Sequence, residues 1–176
     1  AFDQAATAYE EALKLNAKLG SATLKLAQLY AGPLRDAKKA MEFAKKAREL
    51  SPGDARIAGV LGKIAFDAGN YSWAYSLLQE SSRQLSSDPQ VLHDLAWAAY
   101  SLGKIDQAQE AMQQSLNASP NAEIAADAQS FLLLTGVELD PGALVKAKPE
   151  IDRQLQKDPK YVPALMAAAA VNSQAG

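Results

Sequence analysis

The sequence repeats itself at a spacing of 34 residues. The segment LGKIAFDAGNYSWAY at 61–75 aligns without a gap to LAWAAYSLGKIDQAQ at 95–109. A spacing held over linked positions predicts structurally equivalent units that stack on one another. Small residues stand opposite small residues and large apolar residues opposite large ones, as in the pairs Leu61 and Leu95, Phe66 and Tyr100, Gly69 and Gly103, Ala74 and Ala108, and Leu78 and Met112.

Each unit is predicted to contain two amphipathic helices. Gly69 and Gly103 follow the apolar stretch of a first helix, where a residue in the left-handed conformation satisfies the last carbonyl groups. Asp106, and either Ser87 or Asp88, are predicted N-caps of the helices that follow, because their side chains accept hydrogen bonds from free backbone N–H groups. One pair of helices cannot bury its own apolar faces, so neighbouring units must supply the core. The sequence therefore predicts an all-α solenoid.

The repeated positions resemble those of the tetratricopeptide repeat, whose 34-residue pattern is W-x2-L-G-x2-Y followed by Ala, an aromatic residue and Pro. The resemblance is close over 1–120 and weaker after that. It implies a right-handed α-α superhelix of antiparallel helix pairs, with about ten helices. The matching positions are, unit by unit, Leu26, Ala27, Tyr30, Ala40, Ala44, Ala47 and Pro52; Leu61, Gly62, Ala65, Ala74 and Leu78; and Leu95, Ala96, Ala99, Ala108, Met112 and Pro120.

The same resemblance divides the chain into six segments. We expect 1–19 to be the second helix of a truncated repeat, 20–54, 55–88 and 89–122 to be full repeats, and 162–176 to be the first helix of another truncated repeat. Between them, 123–161 is expected to be an irregular repeat with an inserted loop, because its closing proline, Pro159, comes five residues late. Pro149 is expected to kink or restart its second helix, since proline lacks the backbone N–H.

Few residues in the chain suit catalysis or metal binding. There is no Cys and only one His, His93, so we expect no disulfide, thiolate chemistry, metal site or cofactor. His93 and Asp94 are consecutive on a predicted helix and are expected to point in different directions, which would prevent them from acting as a base and its orienting carboxylate. We therefore expect that the chain is not an enzyme.

Charge and hydropathy argue against two further classes of partner. The formal net charge is −2, so we expect neither nucleic acid nor an anionic membrane surface as the partner. No apolar run approaches the roughly 18–20 residues that a membrane-spanning helix needs, so we expect no membrane insertion. The chain begins at Ala1 without Met, which leads us to expect a segment of a longer protein.

The resemblance implies that the first helices line a concave groove that takes an extended peptide or a partner helix. The predicted partner is a protein or peptide with apolar or aromatic side chains, because large aromatic residues bury much area with few rotatable bonds. Trp97 is expected to be the central binding residue. The full set of predicted groove residues is Arg56, Lys63, Phe66, Asp67, His93, Asp94, Trp97, Tyr100, Asp127 and Phe131.

Two other functions fit the sequence. One is structural: the segment stacks within a longer array or self-associates as a homo-oligomer, since Tyr9 and Leu13 at one end and Leu165 and Met166 at the other are expected to leave apolar faces uncapped. The other is a regulatory arm of a larger enzyme or of a secretion or export apparatus. The Ala-rich, Gln-rich and Cys-free composition resembles bacterial arrays of the cytoplasm, the periplasm or the cell envelope, an association by resemblance alone.

Overall fold

The computed structural model describes residues 1–136 and 141–175, and at 141, 142, 144, 145, 174 and 175 it describes only the backbone. The described residues form ten α-helices and no strand. The helices are α1 (Phe2–Leu15), α2 (Gly20–Ala31), α3 (Ala37–Leu50), α4 (Ala55–Asp67), α5 (Tyr71–Gln84), α6 (Pro89–Ser101), α7 (Ile105–Asn117), α8 (Ala122–Thr135), α9 (Pro141–Lys157) and α10 (Val162–Ala175).

Short polar side chains set the start of several helices. Asp36, Asp54, Asn70, Asp88 and Asn121 each accept a hydrogen bond from a backbone N–H in the first turn of the helix that follows. These bonds satisfy donors that have no partner within the helix. The N-cap of α6 is therefore Asp88, the second of the two residues that the sequence left open.

The two turn glycines confirm their predicted role, whereas one predicted cap is wrong. Gly69 and Gly103 have φ values of +77° and +72°, and the next residue, Asn70, donates its N–H to the carbonyl of Ala65 at 2.9 Å. Asp106, by contrast, lies inside the first turn of α7, which begins after Lys104 without a side-chain cap. The charge of Asp106 still faces the positive end of the helix dipole there.

The helices form antiparallel pairs that stack into a right-handed superhelix, as predicted. The first helices of the pairs are α2, α4, α6, α8 and α10, and each contacts the next first helix along the stack. The second helices are α1, α3, α5, α7 and α9, which carry the convex side. Because the first helices contact one another directly, their free faces form a continuous concave surface.

Small residues bring the helices of a pair into close contact. A Cβ atom on Gly62 would lie 2.7 Å from Leu78 Cγ, and one on Gly59 would lie 2.9 Å from Ser81 Oγ. Ser81 also donates its hydroxyl to the carbonyl of Ala55 at 2.7 Å. One repeat later Ser115 makes the same bond to Pro89, again at 2.7 Å. The close approach is therefore a feature of the repeat and not of one pair.

The irregular unit carries a longer second helix. Helix α9 has 17 residues, whereas α3 and α5 have 14 and α7 has 13. It continues through Pro149, so of the two expected effects of this proline the restart does not occur. Pro149 is exposed, so water can take the hydrogen bond that its missing N–H leaves open. The rest of the predicted inserted loop falls at 137–140, outside the described residues.

A polar contact fixes α9 to α8. The buried side chain of Gln154 donates to Ser130 Oγ at 2.8 Å, and Arg153 donates to the same oxygen at 3.1 Å. Arg153 also forms an ion pair with Glu150 at 2.6 Å. Its guanidinium group lowers the pKa of Glu150 to about 2. These bonds hold α9 at a fixed rotation on α8, and so fix the position of the turn that leads to α10.

The terminal helices differ in part from expectation. Leu13 is buried and Tyr9 is half-buried, because both pack into the core shared with α2, so the expected uncapped face at these two residues is wrong. Leu165 and Met166 on α10 are exposed, as expected. Within the ranges that the structure describes, no helix is both long and apolar enough to span a membrane.

Replacing Gly62 by Ala tests the close approach of α4 and α5. Leu78 is fully buried and cannot move aside without opening the core. We expect a net loss of about 1–2 kcal/mol in the free energy of unfolding, since overpacking costs about 1–3 kcal/mol and the better helix propensity of Ala returns up to about 1 kcal/mol. Urea denaturation measures this change.

Gly53→Ala is the matched control for that substitution. No atom lies within 4 Å of a Cβ at Gly53, and its φ is not positive. We expect its stability to stay within about 0.5 kcal/mol of wild type or to rise slightly. Equal losses in the two variants would show that the spacing of α4 and α5 does not depend on Gly62.

Candidate partner-binding groove

Two adjoining depressions lie on the concave surface. The first, which we call the polar groove, has a volume of about 820 Å³ and lies across α2, α4 and α6. Its lining includes small residues such as Ser21 and Gly59 and polar ones such as Lys25, Gln28 and Gln90. It is partly open to solvent.

The second depression, the aromatic pocket, has a volume of about 680 Å³ and is built mainly by α4, α6 and the turn before α10. It shares Lys63 and Asp94 with the polar groove, so the two form one surface. Its lining residues are Lys63, Phe66, His93, Asp94, Trp97, Tyr100, Ser101, Asp158, Lys160, Tyr161 and Val162.

Trp97 is the centre of an aromatic cluster. Its ring makes edge contacts with Tyr100, Phe131 and Tyr161, at centroid distances of 5.9, 5.1 and 5.6 Å. Rings prefer such edge-to-face contacts because the positive edge of one meets the negative face of another. Trp97 is half-buried, so part of the ring lines the pocket while the rest joins α6 to α8 and α10.

The carboxylate of Asp127 on α8 connects three side chains that line the aromatic pocket. One of its oxygens accepts from the indole N–H of Trp97 at 2.9 Å and lies 2.8 Å from His93 Nε2. The other accepts from the hydroxyl of Tyr161 at 3.2 Å. Asp127 therefore links α6, α8 and the start of α10 through three different side chains.

The charges of this network stabilise one another. Burial alone would lower the pKa of His93, but the hydrogen bond to Asp127 and the nearby carboxylate of Asp94 raise it to about 9. Burial opposes ionisation of Asp127 as well, yet the bonds from His93 and Trp97 hold the pKa of that carboxyl below its usual value. Burial and the charge of Asp127 raise the pKa of Tyr161. At neutral pH the centre is an imidazolium–carboxylate pair beside a neutral phenol.

His93 and Asp94 do not point in different directions, contrary to the prediction from their sequence adjacency. His93 Nδ1 lies 3.6 Å from a carboxylate oxygen of Asp94, close enough for charge attraction but too far for a hydrogen bond. Both ring nitrogens thus face carboxylates, and the raised pKa keeps the ring protonated at neutral pH. His93 is a structural cation in this setting rather than a general base. Within residues 1–136 and 141–175, no group of three or more His, Cys, Asp or Glu side chains is arranged so that it could hold a metal ion.

Most of the predicted groove residues come together, but three do not line it. Phe131 is fully buried in the core between α6 and α8, so it cannot contact a partner, and its assignment to the groove is wrong. Asp127 lies beneath the pocket, where it positions other side chains. Asp67 is exposed and forms an ion pair with Lys63. Arg56 lines the polar groove but is already paired with Asp54 at 2.6 Å.

One wall of the pocket was missed by the sequence analysis. Asp158, Lys160 and Tyr161 come from the turn between α9 and α10, and Val162 is the first residue of α10. The predicted repeat boundaries assign this turn to the end of the irregular repeat, 123–161. Helix α9 of that repeat is longer than the other second helices. A signal was nevertheless present, since Tyr161 follows Asp127 by the same 34 residues that separate Asp127 from His93.

Because His93 is the only histidine, its titration can be followed by NMR without first deciding which residue gives the histidine signal. Its raised pKa stabilises the fold fully below the ordinary value near 6.5, and this stabilisation is lost as pH rises through about 9. We expect NMR to give a pKa of His93 near 9, and the free energy of unfolding to fall as pH rises from about 6.5 to about 9.

Asp127→Asn should lower the pKa of His93 by about one unit or more and reduce this loss of stability with pH. Asp67→Asn, which removes an exposed carboxylate, should change neither, and an ordinary pKa in the wild-type protein would contradict the network.

Comparison with known proteins agrees with this geometry. Residues 65–130 match the model of the family described as tetratricopeptide repeat. No curated protein matches the sequence significantly. Among solved structures, a crystal structure of MamA is 25% identical over 91% of this chain and 92% of that one, with a TM-score of 0.70.

Two further structures share the fold at lower identity. YrrB, described as a TPR protein with an unusual peptide-binding site, is 19% identical over 96% of this chain and 84% of that one, with a TM-score of 0.69. TTC0263, a thermophilic TPR protein of Thermus thermophilus, is 24% identical over 97% and 90%, with a TM-score of 0.64. The tetratricopeptide-repeat model thus matches the centre of the chain, at 65–130, and the described residues on either side share the solenoid fold of these solved structures.

Proposed function

We propose that this chain is a protein-interaction module that binds an extended peptide with large apolar or aromatic side chains on its concave surface. The observation that carries the proposal is the aromatic pocket, where Phe66, Trp97 and Tyr161 line an open cavity that none of the described side chains fills. Buried aromatic anchors contribute much of the free energy of binding at protein interfaces.

The lining of the polar groove also supports the proposal. Its lining includes the small and exposed side chain of Ser21, so a peptide backbone can approach closely there. Lys25, Gln28 and Gln90 are exposed along it and can hydrogen-bond to carbonyl and N–H groups of that backbone. A peptide crossing the surface would thus have its main chain held in the polar groove and one side chain in the aromatic pocket.

Two ion pairs in the aromatic pocket favour an uncharged side chain beside them, and the exposed Asp158 and Lys160 also line the pocket. Lys63 is paired with Asp67 at 2.5 Å, and His93 is paired with Asp127 at 2.8 Å. Neither pair leaves a free charge to attract a charged ligand group, and moving such a group out of water costs free energy unless it is compensated. Large apolar and aromatic side chains meet no such penalty.

Trp97→Ala does not test this proposal well. The substitution would remove three ring contacts and leave Asp127 without one of its donors, so we expect a loss of about 3–5 kcal/mol in stability. Loss of binding in that variant would follow from loss of the fold. A groove-blocking substitution at an exposed position is needed instead.

Ser101→Arg supplies that test. Ser101 is exposed, lines the aromatic pocket and ends α6, where a cation suits the helix dipole. Peptides are first selected from a random display library with the wild-type protein. We expect Ser101→Arg to weaken the best peptide about ten-fold or more, which is about 1.4 kcal/mol. Gln84→Arg, an exposed position at the end of α5 on the convex side, should leave its affinity unchanged.

The two tryptophans provide an internal control for the site of binding. Trp97 lines the pocket, whereas Trp73 lies on α5 and stacks beneath Lys45. In ¹⁵N NMR spectra we expect the peptide to shift the indole N–H signal of Trp97 and to leave that of Trp73 in place. A library that yields no binder, or a binder that shifts only Trp73, would contradict the proposal.

A further inference from the structure

We propose that the carboxylate of Asp94 binds an arginine side chain of the peptide at the junction of the polar groove and the aromatic pocket. The proposal rests on the peptide binding proposed above and adds one requirement to it, a basic residue close to the large apolar one. Asp94 is then the residue that selects among peptides that carry a suitable apolar side chain.

Asp94 lies where the two depressions meet. It lines both the polar groove and the aromatic pocket, although only 8% of the residue is exposed. A carboxylate withdrawn from water to this degree costs free energy unless a cation or several hydrogen-bond donors compensate it. A ligand at the junction withdraws it further, so the ligand itself has to supply that compensation.

The hydrogen bonding of Asp94 within the described residues is incomplete. One carboxylate oxygen, Oδ1, accepts from the side-chain amide of Gln90 at 3.0 Å and lies 3.6 Å from His93 Nδ1. The other oxygen, Oδ2, accepts no hydrogen bond from a described residue, and it is not enclosed in the core. Asp94 therefore offers one acceptor atom to a ligand.

The charges beside Asp94 do not balance. Two cations lie next to it, and each is already paired with another carboxylate, His93 with Asp127 and Lys63 with Asp67. Three carboxylates thus share two cations at the junction. The remaining negative charge favours a cationic group of the ligand, since opposite charges attract more strongly where water is partly excluded.

The other charged groups that line the two depressions do not neutralise Asp94. Arg56 is paired with Asp54, and Asp158 and Lys160 carry opposite charges. Lys25 lies on α2, which α4 separates from α6.

The hydrogen-bond acceptors around Asp94 favour arginine over lysine. A carboxylate only accepts hydrogen bonds, so Gln90 turns its NH₂ group toward Asp94, and the amide oxygen of Gln90 is left as a second acceptor. Gln90 is exposed and lines the polar groove. A guanidinium group presents several donors in a fixed plane and can bond to two acceptors at once, whereas the ammonium group of lysine is a point charge.

The positions of Asp94 and Trp97 predict the spacing within the peptide. The two residues are three apart on α6, so their Cβ atoms are about 5–6 Å apart on one face of the helix. In an extended peptide, side chains two positions apart share a face at about 6–7 Å, and adjacent side chains point to opposite faces. The arginine is therefore expected two positions from the residue that enters the aromatic pocket.

A peptide in which citrulline replaces arginine tests the contact, because citrulline has nearly the same shape and no charge. Among peptides selected from a random display library with the wild-type protein, we expect arginine to be enriched at that spacing. Citrulline should weaken the best peptide about ten-fold or more in wild type. In Asp94→Asn, which keeps an acceptor for Gln90, the two peptides should bind within about two-fold of each other.

Asp88→Asn is the matched control. Asp88 also lines the polar groove, and Asn replaces it well because both residues are good N-caps. We expect this variant to keep the preference for arginine over citrulline. A preference that survives in Asp94→Asn, or that disappears in Asp88→Asn instead, would overturn the assignment to Asp94.

The wild-type protein provides a test that does not depend on the folding of a variant. We expect its affinity to fall in the order arginine, citrulline and glutamate at the tested position. Equal affinities for the first two peptides, together with a loss of binding in Ser101→Arg, would overturn the arginine contact and leave the peptide-binding groove in place. A library that yields no binder would contradict both proposals.

Discussion

The structure depends on how closely the two helices of each pair approach. Gly59 and Gly62 on α4 leave no room for a Cβ against Ser81 and Leu78 on α5. Such contacts fix the distance and the rotation of each pair, and packed interiors tolerate little change in either. Because the same size classes recur every 34 residues, each pair presents a nearly identical face to the next, and the stack follows from the repetition of one contact.

The hydrogen-bond network around Asp127 is a local feature added to this regular stack of helix pairs. Helices α6 and α8 and the start of α10 meet at this one carboxylate, which is bonded to His93, Trp97 and Tyr161. A buried charge is costly unless it is fully compensated, and here an imidazolium ring and two neutral donors compensate it. The result is a rigid wall at one side of the aromatic pocket. The turn after α9 contributes as well, because Tyr161 in this turn lines the pocket.

The sequence by itself determined the fold, the positions of the helix pairs and the turn glycines. These features are local or periodic, and the 34-residue register records them directly. It also identified most of the residues that line the aromatic pocket, through the positions that face the concave side. It could not decide that Phe131 is core, that Asp94 lies beside His93, or that Tyr161 completes the pocket. Those outcomes depend on side-chain direction and on how the helices pack, which set distances between residues far apart in the chain. The tertiary structure decided them because only there do α6, α8 and the start of α10 converge on Asp127.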